Sequence, residues 1–261
     1  ALIFPLVRKY LSFKTTYAAS FFGYATHGLL DACTSYGTVL FWPFSNERIT
    51  WNNISIVDPL LTIPALILLA VAVKTNRRRF SFLAVGWIVS YLALGLVQYE
   101  RALSSGLKLA QSRGHNAERM TLKPSFGNLI LWKSIYQHGD SFYVDAIRAG
   151  TTLSWCPGES IKIFDYQYHL PDLEENSQQR EDIERFRWFS QDYLGFQNDK
   201  NLVTDVRYSM IPNQIAPMWG LIIDEQQGTN EHAAWWESRD LDDESLTLFM
   251  EMLLGQKCTA A

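Results

Sequence analysis

Three long apolar stretches lie in the first hundred residues of the chain. Residues 80–99 contain no charge, and their length matches the ~20 apolar residues that a helix needs to cross a bilayer. Residues 54–73 carry one charge, Asp58, near their start, and residues 17–44 are apolar except for His27 and Asp31. A buried helix of a large soluble protein is the alternative for each stretch. Because three such stretches occur together, they predict about three membrane spans.

The pattern changes after the third stretch. Polar residues 101–120 predict a linker, and segments rich in aromatic and β-branched residues then alternate with Gly, Pro, Asn and Asp, as strands and turns do. Helical spacing of apolar residues appears at 173–194 and 244–254. The predicted strands are 128–136, 141–147, 161–168, 202–208 and 218–223. The expected fold is a membrane α-helical half at residues 1–100, the linker, and a soluble α+β, strand-rich domain at 121–261.

The two parts differ in charge. Residues 1–100 contain 8 Lys and Arg against 4 Asp and Glu, whereas the remainder contains 15 against 23. The basic connection at 74–79 is typical of a cytoplasmic loop, which predicts a multi-pass protein in the lipid bilayer with its C-terminal domain extracytoplasmic. Nucleic acid is not an expected partner, because the remaining Lys and Arg are scattered and form no basic face. Three widely spaced cysteines indicate neither a zinc motif nor a disulfide framework.

Two ionisable residues in the first apolar stretch are candidates for chemistry. His27 and Asp31 are four residues apart, so a helix places them on one face, where imidazole and carboxylate can bind the same cation. Ionisable groups inside a membrane tend to pair, to face a cavity or to serve a site. A structural His–Asp hydrogen bond explains the spacing equally well, and an ion path through a transporter is a weaker alternative. Asp58 precedes Pro59, which suits the start of a helix.

Four short sequences surround these residues: THGLLD at 26–31, TSYGT at 34–38, WPFS at 42–45 and IVDPL at 56–60. With them, the chain resembles the bacterial inner-membrane metal-dependent hydrolases of the YdjM/YbcI type. This resemblance implies an inner-membrane site for a divalent metal ion, zinc or manganese. It implies that His27, Asp31 and Asp58 are metal ligands, with Asp58 either a ligand or the catalytic general base.

Family members also carry an upstream motif of the form His-Arg-x-x-Thr-His-Ser, which this chain lacks, since His27 is its first histidine. The chain begins with Ala, and we expect that it is truncated at its N-terminus. The sequence predicts an integral membrane metal-dependent hydrolase, in which the metal lowers the pKa of a bound water. The alternative is a non-enzymatic membrane protein with a structural His27–Asp31 pair and a partner-binding soluble domain.

Overall fold

A computed structural model of the chain describes residues 3–239 and 242–260. The chain divides into two compact units, Ala1–Leu96 and Val97–Ala261. The described part of the first unit is built from helices and an irregular loop, and that of the second contains the strands. The described helices of the N-terminal half are α1 (Phe4–Val7), α2 (Phe13–Cys33), α3 (Pro59–Thr75) and α4 (Arg79–Ser112).

The number of membrane spans predicted from the sequence is wrong. Within the described residues, α4 is the one helix long and apolar enough to cross a membrane by length and composition. The second predicted span is shortened to the 17 residues of α3, because Asp58 caps its start and Asn76 ends it in the left-handed conformation at φ 51°. The first is shortened because α2 ends at Cys33, and its polar side chains leave it below the hydropathy of a span.

The last part of the loop between α2 and α3 folds back onto the end of α2. The amides of Trp51 and Asn53 donate to the carbonyls of Ala32 and Cys33 at the end of α2. The Asn53 side chain donates to the carbonyl of Leu92 on α4 at 3.2 Å. The loop therefore fixes where α3 begins relative to the end of α2.

The second unit is strand-rich, as the sequence predicts. Six strands form one antiparallel sheet in the order β1-β2-β3-β4-β10, with β5 paired to β3, and four form another in the order β6-β7-β8-β9. The strands of the larger sheet are β1 (Arg119–Pro124), β2 (Leu131–His138), β3 (Ser141–Ala149), β4 (Leu153–Cys156), β5 (Ser160–Lys162) and β10 (Thr259–Ala260). Those of the smaller sheet are β6 (Leu194–Gln197), β7 (Leu202–Asp205), β8 (Trp219–Ile222) and β9 (Ala234–Glu237).

Three helices accompany the sheets: α5 (Tyr166–His169), α6 (Gln178–Phe189) and α7 (Asp243–Leu254). Helix α6 begins after Ser177, whose hydroxyl accepts from the Arg180 amide, and it buries Ile183 and Phe186 in the core of the smaller sheet. Met252 of α7 belongs to a second cluster, with Leu131 of β2. The apolar residues of α6 and α7 thus face a core, as in an amphipathic helix.

A disulfide joins Cys156 to Cys258 across 102 residues of sequence. It links the end of β4 to the segment just before β10, and these two strands also pair through Thr259 and Trp155. The sequence indicated no disulfide framework because the two cysteines are so far apart along the chain.

Candidate functional site

Helix α2 brings His27 and Asp31 together as their spacing predicts. His27 Nε2 lies 3.4 Å from Asp31 Oδ2, one helical turn away. The two side chains are 68% and 42% exposed within the protein, so a ligand can reach both. This geometry fits either a shared cation or a simple His–Asp contact.

Asp58 has a different environment, because its carboxylate is already engaged on both oxygens. Oδ1 accepts from the amide of Leu61 at 3.1 Å, which caps α3. The Tyr91 hydroxyl of α4 lies 2.9 Å from each carboxylate oxygen, and Asp58 is buried. Asp58 therefore holds the start of α3 to α4, and its role as ligand or general base stays a prediction.

The donor set available for a metal is small. In residues 3–239 and 242–260, no group of three His, Cys, Asp or Glu side chains is close enough to hold a metal ion. Catalytic zinc sites use three protein ligands and keep one position open for water. His27 and Asp31 supply two, and Asp58 does not join them, so the described side chains do not fit a complete catalytic metal site.

The part of the chain that contains the apolar helices and the His27–Asp31 pair is similar to a known membrane protein family. Residues 1–102 match the family model of the YdjM inner membrane protein. The match supports a membrane protein of the inner-membrane type, and it contains all three residues that the sequence singled out. Neither a curated protein nor a solved structure matches the chain.

The YdjM match ends at residue 102, and the strand-rich unit beyond it contains buried charged side chains. Asp205 and Arg207, at the end of β7, form a buried ion pair at 2.7 Å. Lys123 of β1 is also buried, and no hydrogen-bond partner for its Nζ is present in the described chain. That nitrogen lies 3.1 Å from the centre of the Tyr208 ring. Asp205 and Arg207 act electrostatically on Lys123, and these buried side chains are together called the charged layer.

Lys133 of β2 is the cross-strand partner of Lys123 in this layer. It is 4% exposed, and its Nζ donates to Ser209 Oγ and to the carbonyl of Gln214, each at 2.7 Å. Burial lowers its pKa to about 7, although the carboxylates of Glu159 and Asp205 act to raise it. The alternation of side chains along the strand predicts this burial, because Lys133 lies between the core residues Leu131 and Ile135 on the same face.

Four of the five histidines lie outside the YdjM match, in the strand-rich unit. His232 Nδ1 lies 2.9 Å from Asp182 and its side chain is 67% exposed. His115 stacks on His138 with 4.4 Å between ring centres, and its Nδ1 lies 2.9 Å from the Tyr136 hydroxyl. Desolvation, with His138 and Arg113 nearby, lowers the pKa of His115, which favours its neutral form.

Proposed function

We propose that this chain is an inner-membrane protein that crosses the bilayer with α4 and carries its strand-rich domain outside the cytoplasm. The Cys156–Cys258 disulfide is the observation that carries this proposal. Disulfides form and persist in oxidising compartments such as the bacterial periplasm, and they are rare in the cytosol.

The charges that flank α4 support the same orientation. Lys74 and residues 77–79 lie at the N-terminal end of the helix, and cytoplasmic connections are enriched in such residues. Basic residues also follow the apolar part of α4, but they serve the folded domain. Arg113 makes two 2.7 Å hydrogen bonds to Asp145, and Arg101 donates to the Gly150 carbonyl at 2.6 Å. Long domains translocate regardless of such charges.

Cysteine accessibility tests this orientation. In a Cys33→Ala background, Glu175→Cys places a single added thiol on an exposed position of the strand-rich domain, and Thr75→Cys places one at the exposed end of α3. A membrane-impermeant maleimide should label Glu175→Cys in intact spheroplasts and Thr75→Cys only after lysis. The reverse pattern, or a Cys156–Cys258 pair that is reduced in freshly isolated membranes, contradicts the proposal.

A metal-dependent hydrolase is the second candidate function, in which the exposed His27–Asp31 pair supplies two of the metal ligands. Imidazole and carboxylate ligands suit zinc or manganese, and the YdjM/YbcI resemblance of the sequence points to the same chemistry. The competing hypothesis is a non-enzymatic membrane protein whose strand-rich domain binds a partner. The two hypotheses differ in whether His27 and Asp31 bind a metal.

Elemental analysis of the detergent-purified chain separates these hypotheses. His232 and Asp182 provide a matched control, because they form another exposed His–Asp contact. Near-stoichiometric zinc or manganese that is lost in His27→Ala and Asp31→Ala but retained in His232→Ala supports the metal site. Absence of metal from the parent chain, or equal loss in all three variants, favours the structural pair.

A further inference from the structure

Lys133, a buried residue, donates a hydrogen bond to Ser209, which is partly exposed. Lys133 lies in β2, and Ser209 lies in the segment between β7 and β8. The Nζ–Oγ distance is 2.7 Å, and the second bond of Nζ, to the Gln214 carbonyl, fixes the amine in place. Ser209 is partly exposed, whereas Lys133 is 4% exposed, so the serine is the residue of the pair that a ligand can reach.

The charge state of Lys133 decides which way a proton can move. Burial lowers the pKa of this lysine to about 7, so a large share of the amine is neutral at neutral pH. Glu159 and Asp205 favour the charged form. The cross-strand neighbour of Lys133 is Lys123, whose own pKa is lowered by burial, and Arg207 is paired with Asp205. A neutral amine keeps a lone pair that can accept a proton from a hydroxyl.

Ser209 can supply that proton. Its Oγ lies 2.6 Å from the Ile211 carbonyl. When Lys133 is charged, Lys133 Nζ donates a hydrogen bond to Ser209 Oγ, and the Ser209 hydroxyl donates to the Ile211 carbonyl. When Lys133 is neutral, rotation about the Cβ–Oγ bond of Ser209 points the hydroxyl hydrogen at Nζ. Lys133 still donates to the Gln214 carbonyl with one of its remaining hydrogens. The same heavy-atom positions therefore satisfy both protonation states.

We propose that Ser209 is a nucleophile and Lys133 its general base, and that the strand-rich domain uses this pair for acyl transfer from an ester or amide to water. Serine–lysine pairs perform the same task as serine–histidine pairs. This site is separate from the His27–Asp31 pair, and it requires no metal.

The proposed reaction has two steps. Ser209 Oγ attacks the carbonyl carbon, forming a carbon–oxygen bond, while its proton passes to Lys133 Nζ. The bond to the leaving alkoxide or amine breaks, and that group takes the proton from Lys133. Water then attacks the acyl carbon and gives a proton to Lys133. The Oγ–carbon bond breaks, the carboxylic acid leaves, and Lys133 returns the proton to Ser209.

A structural brace is the competing explanation, because Lys133 also ties residues 209–214 to the sheet. The two explanations differ in their covalent chemistry. A fluorophosphonate probe reacts with an activated serine by forming an oxygen–phosphorus bond and releasing fluoride. A braced, unactivated serine does not react at a comparable rate.

The test is to incubate the full-length, detergent-purified chain with a fluorescent fluorophosphonate between pH 6 and 9 and to locate the adduct by mass spectrometry. We expect an adduct on Ser209, with a rate that rises with pH through about 7, and no adduct on Ser209→Ala. Lys133→Met and Lys133→Arg should each lower the rate by at least roughly 100-fold, because general-base catalysis contributes about that much or more. Arginine keeps a buried cation but cannot accept the proton.

Lys123→Met is the matched control, since it removes a neighbouring buried lysine whose Nζ has no hydrogen-bond partner in the described chain. Ser209 of the Lys123→Met variant should be labelled at the parental rate. The parent in the presence of EDTA, and the His27→Ala variant without EDTA, should also be labelled at that rate. Thermal melts show which variants are folded. The proposal is overturned if the parent gives no Ser209 adduct, if a folded Lys133 variant labels as fast as the parent, or if labelling does not change with pH. Loss of labelling on EDTA treatment also contradicts the proposal. None of these outcomes depends on how the protein is oriented in the membrane.

Discussion

The buried Asp205–Arg207 ion pair allows a quantitative prediction about the stability of the strand-rich domain. Arg207 Nε and Nη2 donate to the two carboxylate oxygens at 2.8 and 2.7 Å, and the side chains of Arg207 and Asp205 are 7% and 3% exposed. Asp205→Asn preserves the shape of the side chain but leaves a buried guanidinium without its carboxylate. Removing one partner of a buried pair costs about 3–5 kcal/mol. At ~2–4 °C per kcal/mol for a domain of this size, the Tm should fall by on the order of 10 °C.

The matched control is Glu237→Gln, which breaks the contact between Arg239 and Glu237. That contact is 3.6 Å long, with side chains 66% and 57% exposed, and exposed pairs contribute less than about 1 kcal/mol. Unfolding of the full chain in detergent is followed by near-ultraviolet circular dichroism. A second comparison combines Asp205→Asn with Arg207→Met, which removes the stranded charge and should recover part of the loss. Equal Tm shifts for Asp205→Asn and Glu237→Gln would refute the reasoning.

Three further predictions concern other buried contacts. Replacing both Cys156 and Cys258 by Ala should lower the free energy of unfolding by ~2–5 kcal/mol, because the disulfide closes a loop of about a hundred residues; unfolding of the parent with and without reductant checks this independently. Lys123→Met should raise the free energy of unfolding at pH 7 by about 1–3 kcal/mol, because its Nζ lacks a hydrogen-bond partner in the described chain. Burial holds the folded pKa of Lys123 well below its unfolded value, so the unfolded state binds more protons between the two values. Stability should therefore rise with pH across that window, and denaturant titrations should show a smaller slope for the variant. Tyr91→Phe should destabilise the helical unit by ~1.5–3 kcal/mol, since Asp58 then loses a buried hydrogen bond to its carboxylate. An unchanged Tm would contradict the role of that contact in holding the start of α3 to α4.

Several elements of the fold were predictable from local sequence signals. The uncharged stretch at 80–99 lies within α4, since an apolar run of this length without Pro forms a continuous helix. Helices predicted at 173–194 and 244–254 correspond to α6 and α7. Helix α6 is shorter than predicted at both ends, and Ser177 caps its start, whereas α7 begins one residue earlier than predicted, after the cap Asp242. The segment 161–168 was predicted as a strand, but it contains the end of β5 and the start of α5, which Asp165 caps.

The spacing of His27 and Asp31 likewise determined that they share a helix face, because the helical period is a local property of the backbone. Other contacts depended on residues far apart in sequence. The Tyr91 contact with Asp58, the Cys156–Cys258 bond and the approach of Ser209 to Lys133 join positions separated by 33, 102 and 76 residues. No local periodicity carries information about such pairs.

The sequence by itself thus determined the long apolar helix, the strand-rich character of the second half and the His27–Asp31 juxtaposition, since each follows from side-chain pattern over a few turns or one strand. Tertiary structure alone decided that Asp58 is buried against the Tyr91 hydroxyl and that Lys123 and Lys133 are buried in the strand-rich unit. It also decided that Ser209 lies beside Lys133. Burial and protonation depend on what packs around a group, and in this chain those neighbours come from distant segments.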